Sequence, residues 1–493
     1  MTEQLFLSLI YSIDMKYLFS IFLFFLLGNL KAENQVFNPN KKFAAEKLRA
    51  WTAQVFNDLS IKHPGFYRYT TRARFNFIID STQKTIIDSL SELEYLRKLK
   101  PLFAQIGCLH TSITLSPEYR QYLEETKTLI PIEVFLDENL KVFVRHCYDS
   151  SQRISEKSEL LSINGKPIRQ VLKELFKTIP SDGFNQTEKV LLLNHSFASR
   201  YQNAIESVGN YEIQVVENGL PRTIRLNGVS KKVFPNQRSV EDDYDKALEF
   251  EIVDGTGILK VHSFANTAIQ QKKGQNFRKY IQSVFERLND EKVTKLVLDL
   301  RNNTGGTDAN AVFLAAHFFD KTFRYWTKIE VTEAVAKEIK GPVKLFYKKP
   351  IRQDSTFLWQ KSWLTREFNY YLPQEPAKDN FKGQTFILAN GLCLSSCADV
   401  IAILSHNQKA KVIGQETGGA YQGNNSGMMP SVKIPTGLIM TVPLQRYSNA
   451  VDQNKNFGRG TMPDFEVTAT YEDWVNKTDK EMKMALELLK ATK

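Results

Sequence analysis

The sequence predicts an α/β protein with a helical N-terminal region and a mostly-β unit inserted ahead of the main α/β domain. Three observations carry this. From residue 245 onward, short apolar β-type runs alternate with amphipathic helical stretches. Residues 126–230 show alternating strands punctuated by turn signals. Residues 33–125 repeat apolar positions at helical spacing.

The elements follow in chain order. Residues 1–32 have the layout of a secretory signal: Lys16, an apolar run from Tyr17 to Leu27, and a small residue, Ala32, at the exit. The run is shorter than the ~20 apolar residues that span a bilayer. The expectation is an exported protein, periplasmic or extracellular, with no stable membrane span after cleavage; a retained N-terminal anchor is the alternative. In region 33–125, Phe43, Leu48, Trp51, Val55, Phe56 and Leu59 share one helix face. Leu90, Leu93, Leu96 and Leu99 share another, within a helix expected over Ile86–Leu102.

In region 126–230, the runs Ile132–Leu136 and Leu140–Val144 flank Asp137-Glu138-Asn139, a hairpin signal. A strand ending at Ile163 enters an Asn164-Gly165 turn, and a helix follows over Ile168–Phe176. Strands are expected at Tyr211–Val216 and Arg222–Leu226. In region 245–490, strands are expected at Gly257–Val261, Lys295–Leu300, Thr385–Ala389 and Lys411–Gly414. Helices are expected around Lys279–Leu288, from Ala309 and from Ser396.

Bulk properties narrow the function classes. The chain has 493 residues, 42% hydrophobic and 24% charged, enough for several cores and ordinary in charge. Its formal net charge is +11, spread without a basic run. No stacking-aromatic motif or zinc spacing accompanies the charge, so nucleic acid is not expected as a partner. There is no C-x-x-C or H-E-x-x-H, so no metal site is expected. The four cysteines are too few for a disulfide scaffold, although an exported location permits Cys393–Cys397 or Cys108–Cys147 pairing.

Two segments carry chemistry. Asp299-Leu-Arg-Asn-Asn-Thr-Gly-Gly306 leaves a buried strand and enters a glycine turn, where backbone N–H groups can converge on a phosphate or an oxyanion. It matches neither phosphate-loop pattern. Around ninety residues later, a strand runs into Asn390-Gly391, and Ser395-Ser396 opens an apolar helix. A serine there has N–H groups and the positive dipole end beside it. It is equally the ordinary residue for a helix cap.

Together the two segments resemble the catalytic domain of the C-terminal processing (tail-specific) serine peptidases, whose pattern D-x-R-x-N-x-G-G is met here by Asp299, Arg301, Asn303, Gly305 and Gly306. Ser396, three residues before Asp399, takes the family's nucleophile position, with Ser395 as fallback. The likeness continues through Thr417-Gly418-Gly419 and closes on Gly458-Arg-Gly-Thr-Met-Pro-Asp464. It implies a ClpP/crotonase-like catalytic core, polypeptide substrates, no cofactor, and an oxyanion hole from Gly305, Gly306 and the Cys397 N–H. The common branch of the family uses a lysine where this chain has Tyr421. The tricorn-core-like branch takes a histidine from a stretch resembling Gly107-Cys-Leu-His110-Thr, which makes His110 the expected general base. Glu416 and Asp452 are candidates to orient it; the other histidines are expected to be structural. Glu159–Ile168 resembles a PDZ domain, which implies capture of a peptide strand and its carboxylate. A catalytically inactive relative that binds peptides or hydrophobic ligands, and an acyl-CoA enzyme, are the alternative functions. Oligomeric state is left open.

Overall fold

A computed structural model describes residues 37–234, 244–272, 274–345, 347–361 and 372–491. The signal segment lies outside the described residues. Among those described, no helix is long and apolar enough to cross a membrane.

The centre is a six-stranded sheet. An antiparallel edge strand, Leu248–Val253, pairs with Thr256–Val261, which is followed in parallel by Lys295–Asp299, Gln384–Ala389, Lys411–Gly414 and Phe465–Glu466. Parallel strands are joined by crossovers that cover both faces, so their residues are apolar on both sides. Leu296 and Leu298 face one core with Ile387 and Val412. Val297 points the other way, to Phe386, Leu388, Ile413 and the helix Lys480–Ala491. Helix Phe277–Asp290 is capped by Asn276, whose side chain accepts from the Lys279 N–H, and buries Ile281, Val284, Phe285 and Leu288.

The N-terminal helices Ala45–Lys62, Arg72–Lys84 and Glu92–Gln105 share the large core with the α/β sheet. The short strand after them, Ser112–Thr114, pairs with Ile439–Thr441. The helix expected from Ile86 begins at Glu92 because Ser91 and Glu94 form a capping box, while Leu90–Ser91 pairs as a strand with Lys42–Phe43.

Residues 129–234 build a separate core. The Asn164-Gly165 turn has positive φ at both residues, as a type I′ hairpin requires. The helix Ile168–Phe176 falls where it was expected. An 18-residue helix, Thr187–Ala204, was not foreseen, so this unit carries more helix than its strand pattern suggested. A second antiparallel sheet, containing Trp326–Val331, Thr356–Lys361 and Gln445–Asn449, was also not foreseen.

Candidate active site

The two motif turns leave neighbouring strands at the same level, because Asp299 and Leu388 are register partners. They are laced together at once. The Asn390 side chain donates to Asn302 Oδ1 at 2.8 Å and accepts from the Asn302 N–H at 3.1 Å. The Leu394 N–H donates to the Asn303 carbonyl at 3.2 Å. Asn303 is fully buried, donates to the Val261 carbonyl and accepts from the Gly305 N–H at 2.9 Å.

Gly305 then meets the serine helix directly. A Cβ there would lie 2.8 Å from the Leu394 carbonyl and the Ser395 Cβ, and 3.1 Å from the Ser396 nitrogen, with φ at +101°. Only glycine tolerates both the angle and the contact. Ser395 is itself left-handed at φ +51°, an unusual state for a serine. The next residue, Ser396, lies in the first turn of the helix Ser395–His406 with 1% exposure. Its hydroxyl has no hydrogen-bond partner among the described residues. A buried hydroxyl left unsatisfied costs about 1–3 kcal/mol, which a mere structural cap would avoid.

The oxyanion candidates divide. The Gly305 N–H is tied to Asn303, and the Cys397 N–H donates to the Leu394 carbonyl at 3.0 Å. Gly306 bridges in parallel to Phe264 through the Gly305 carbonyl and the Thr307 N–H, so its own N–H lies outside that pairing.

Asp299 and Arg301 serve structure. Arg301 grips Asp299 with two hydrogen bonds and Asp479 with two more, pinning the turn to the C-terminal helix. Burial would lower its pKa, but these carboxylates outweigh burial and hold it above its ordinary value. Asp399 is buried one helical turn beyond Ser396 and accepts from Asn424 and Asn449. Burial pushes its pKa up to about 8.

The His110 turn is fixed from four sides. The Leu109 N–H donates to Asp182 Oδ1 at 3.0 Å, the Cys108 thiol faces the Asn425 carbonyl, His63 Nε2 meets Thr111 Oγ1 at 2.9 Å, and the following strand joins the three-stranded sheet. His63 Nδ1 accepts from the Gly65 N–H, which makes Nε2 the protonated nitrogen. Burial drives its pKa down to about 3, so it stays neutral. The other oxygen of Asp182 accepts from the Ala420 N–H at 3.2 Å. The neighbouring Gly419 packs on Ala398 and Ser395 and donates to the Cys393 carbonyl. Residues 419–425 thus lie between the His110 turn and the start of the serine helix.

Asp182 is the residue that motif reading missed. It sits 72 positions from His110 in no recognisable pattern, and only its burial and two backbone donors mark it. Burial raises its pKa to about 6. Glu416, one candidate to orient His110, is instead spent on Arg459 at 2.9 and 2.6 Å and on the Gly460 N–H. Asp452 binds the Asn454 N–H in a local turn. Tyr421, in place of the lysine, hydrogen-bonds His406 at 3.2 Å.

All four cysteines are free, so neither of the permitted pairs forms. The Cys393 and Cys397 thiols both face the Leu300 carbonyl, and Cys147 lies on a strand of the separate 129–234 unit. Among the described residues, no three His, Cys, Asp or Glu side chains gather to hold a metal ion.

Residues 255–467 match the profile described as Peptidase family S41. No curated protein sequence matches the chain. Among solved structures, the chain is similar to mature CPAF complexed with lactacystin, at 14% identity over 90% of this chain and 97% of that one, with a TM-score of 0.64. It is similar also to a serine-to-alanine mutant of CPAF, at 13% identity over 91% and 98%, with a TM-score of 0.63. At such identities the likeness is one of fold.

Proposed function

Since residues 255–467 match Peptidase family S41, we propose that the chain is a serine-type peptidase, that Ser396 is its nucleophile, that His110 is its general base, and that it cleaves polypeptide tails after export. The observation that carries this is the buried Ser396 hydroxyl, unpartnered among the described residues, at a helix N-terminus against the Gly305 turn.

The chemistry runs in two halves. Ser396 Oγ attacks the scissile carbonyl while a His110 ring nitrogen takes its proton. The negative charge on the carbonyl oxygen is met by the Gly306 N–H, the helix dipole and the Cys397 N–H, which it would share with the Leu394 carbonyl. His110 returns the proton to the leaving amine, and the acyl-enzyme remains on Ser396. Water, deprotonated by His110, then releases the new carboxyl end. In this reading Asp182 is a positioning residue: it holds the backbone of the His110 turn against residues 419–425.

The unit at 129–234 is proposed to present the substrate in PDZ fashion, by strand addition. Its edge strand Ile132–Leu136 is partly closed, because Asn194 accepts from the Leu136 N–H at 2.6 Å and donates back to the Leu136 carbonyl at 3.3 Å. A peptide strand there must displace Asn194.

The test is labelling with a fluorophosphonate probe. Wild type and Ser395→Ala should label, Ser396→Ala should not, and His110→Ala should label far more slowly. Full labelling of Ser396→Ala sinks the assignment.

A further inference from the structure

A cleft of about 940 Å³ opens beside the His110 turn, between the N-terminal helices and the 129–234 unit. Its cationic lining is Arg74, Arg169, Lys173, Lys177 and Lys189, and no Asp or Glu lines it. At its margins, Lys166 and Lys141 are paired with Glu174 and Glu159. Inside, no described carboxylate forms a salt bridge with any of the five. Arg74, Arg169, Lys173 and Lys177 are exposed, while Lys189 donates to the Phe176 carbonyl. Two acids that adjoin the lining are turned away: Asp182 holds the Leu109 and Ala420 N–H groups, and Glu188 is buried, with its pKa raised well above the ordinary value by that burial, while Glu138 beside Asn139 at the hairpin tip is exposed.

The floor is aromatic and apolar. Tyr69 packs edge-on to Phe184 at 5.6 Å, and Phe184 is 52% exposed. Leu140 at the hairpin tip is 40% exposed. Gly107 and Gly183, hydrogen-bonded to each other at 3.0 Å, line the cleft three residues before His110 and one after Asp182, so its lining adjoins the His110 turn. Unpaired like charges facing a common space raise the local potential and attract the opposite sign.

We infer that this cleft is the substrate-docking subsite of the peptidase, and that it selects polypeptide segments in which acidic residues alternate with aromatic or large apolar ones. The carboxylates meet the five cations, and the apolar side chains meet Tyr69, Phe184 and Leu140. The inference deepens the peptidase reading and rests on it for what happens after docking.

The experiment uses the full chain as Ser396→Ala and fluorescence anisotropy with two labelled peptides, one alternating Glu with Phe and one with every Glu replaced by Gln. The acidic peptide should bind at least about tenfold more tightly, and the preference should shrink with added salt. Arg169→Glu with Lys173→Glu should abolish the preference, and Arg169→Gln with Lys173→Gln should weaken it; both pairs lie on exposed helix positions. These variants should keep the wild-type circular-dichroism spectrum and cooperative thermal unfolding, which shows that they fold. Equal binding of the two peptides, or a preference indifferent to both double variants, overturns the inference. So does loss of the acidic peptide's advantage to vesicles containing anionic phosphatidylserine, which would make the cleft a membrane contact. If the peptide preference holds but Ser396 does not label, the catalytic reading fails and the docking site stands.

Discussion

Replacing Gly305 by alanine tests the link between motif and mechanism. The new Cβ would arrive 2.8 Å from the Leu394 carbonyl and 3.1 Å from the Ser396 nitrogen, at a backbone angle that L side chains avoid. Backbone strain of this kind costs about 1–3 kcal/mol. Overpacking against backbone, which cannot swing aside as a flexible side chain does, adds about 1–3 kcal/mol. The alternative is relaxation, in which the contact opens by about half an ångström to reach ordinary van der Waals separation. The group displaced is then the Leu394–Ser396 backbone, and with it the nucleophile. A 1 Å misplacement costs about 100-fold in rate, so half an ångström costs about tenfold. The expected result is fluorophosphonate labelling slowed about tenfold or more, with stability in urea reduced by at least the backbone strain, about 1–3 kcal/mol. Labelling within threefold of wild type, despite the stability loss, would refute the claim that this turn shapes the serine. Unchanged stability would refute the packing itself.

Asp182→Asn keeps the size of the side chain but turns an N–H donor toward the Leu109 or Ala420 N–H, at a cost of about 1–3 kcal/mol; kcat should fall at least about tenfold with KM little changed, and a matched fall in both would argue against a role in positioning His110. Asp399 has its folded pKa raised from 3.8 to about 8, so between those values the unfolded chain is ionised while the folded chain holds the proton. Stability from this group is therefore fully present below about pH 4 and is lost as pH rises toward 8, at up to about 1.4 kcal/mol per pH unit. Urea unfolding across pH 5–8 should show Asp399→Asn with a shallower decline than wild type, and identical slopes would contradict it. Because all four cysteines are free, a reducing agent should leave the melting temperature unchanged; a drop of several degrees would reveal a disulfide.

Local patterns determined much of this protein. The Asn164-Gly165 hairpin, the helix Ile168–Phe176 and the parallel strands were legible because each follows from side-chain period and turn chemistry over a few residues. The helix Thr187–Ala204 was not: its interior is kinked at Ser196, and its apolar residues are interrupted by Asn194, His195 and Ser196. The short strands of the second sheet are separated by up to about a hundred residues, and no local signal pairs Trp326–Val331 with Gln445–Asn449.

The same division runs through the site. The sequence alone determined that a serine opens a helix after a buried strand, and that a glycine turn leaves another strand some ninety residues earlier. Both are properties of short segments. Tertiary structure decided which atoms meet: that Gly305 abuts Ser396, that Arg301 is spent on Asp299 and Asp479, and that Asp182 holds the His110 turn. Those are contacts between residues far apart in the chain. Burial then set the pKa values of Asp182, His63 and Asp399, because desolvation depends on the whole surrounding core rather than on neighbours in sequence.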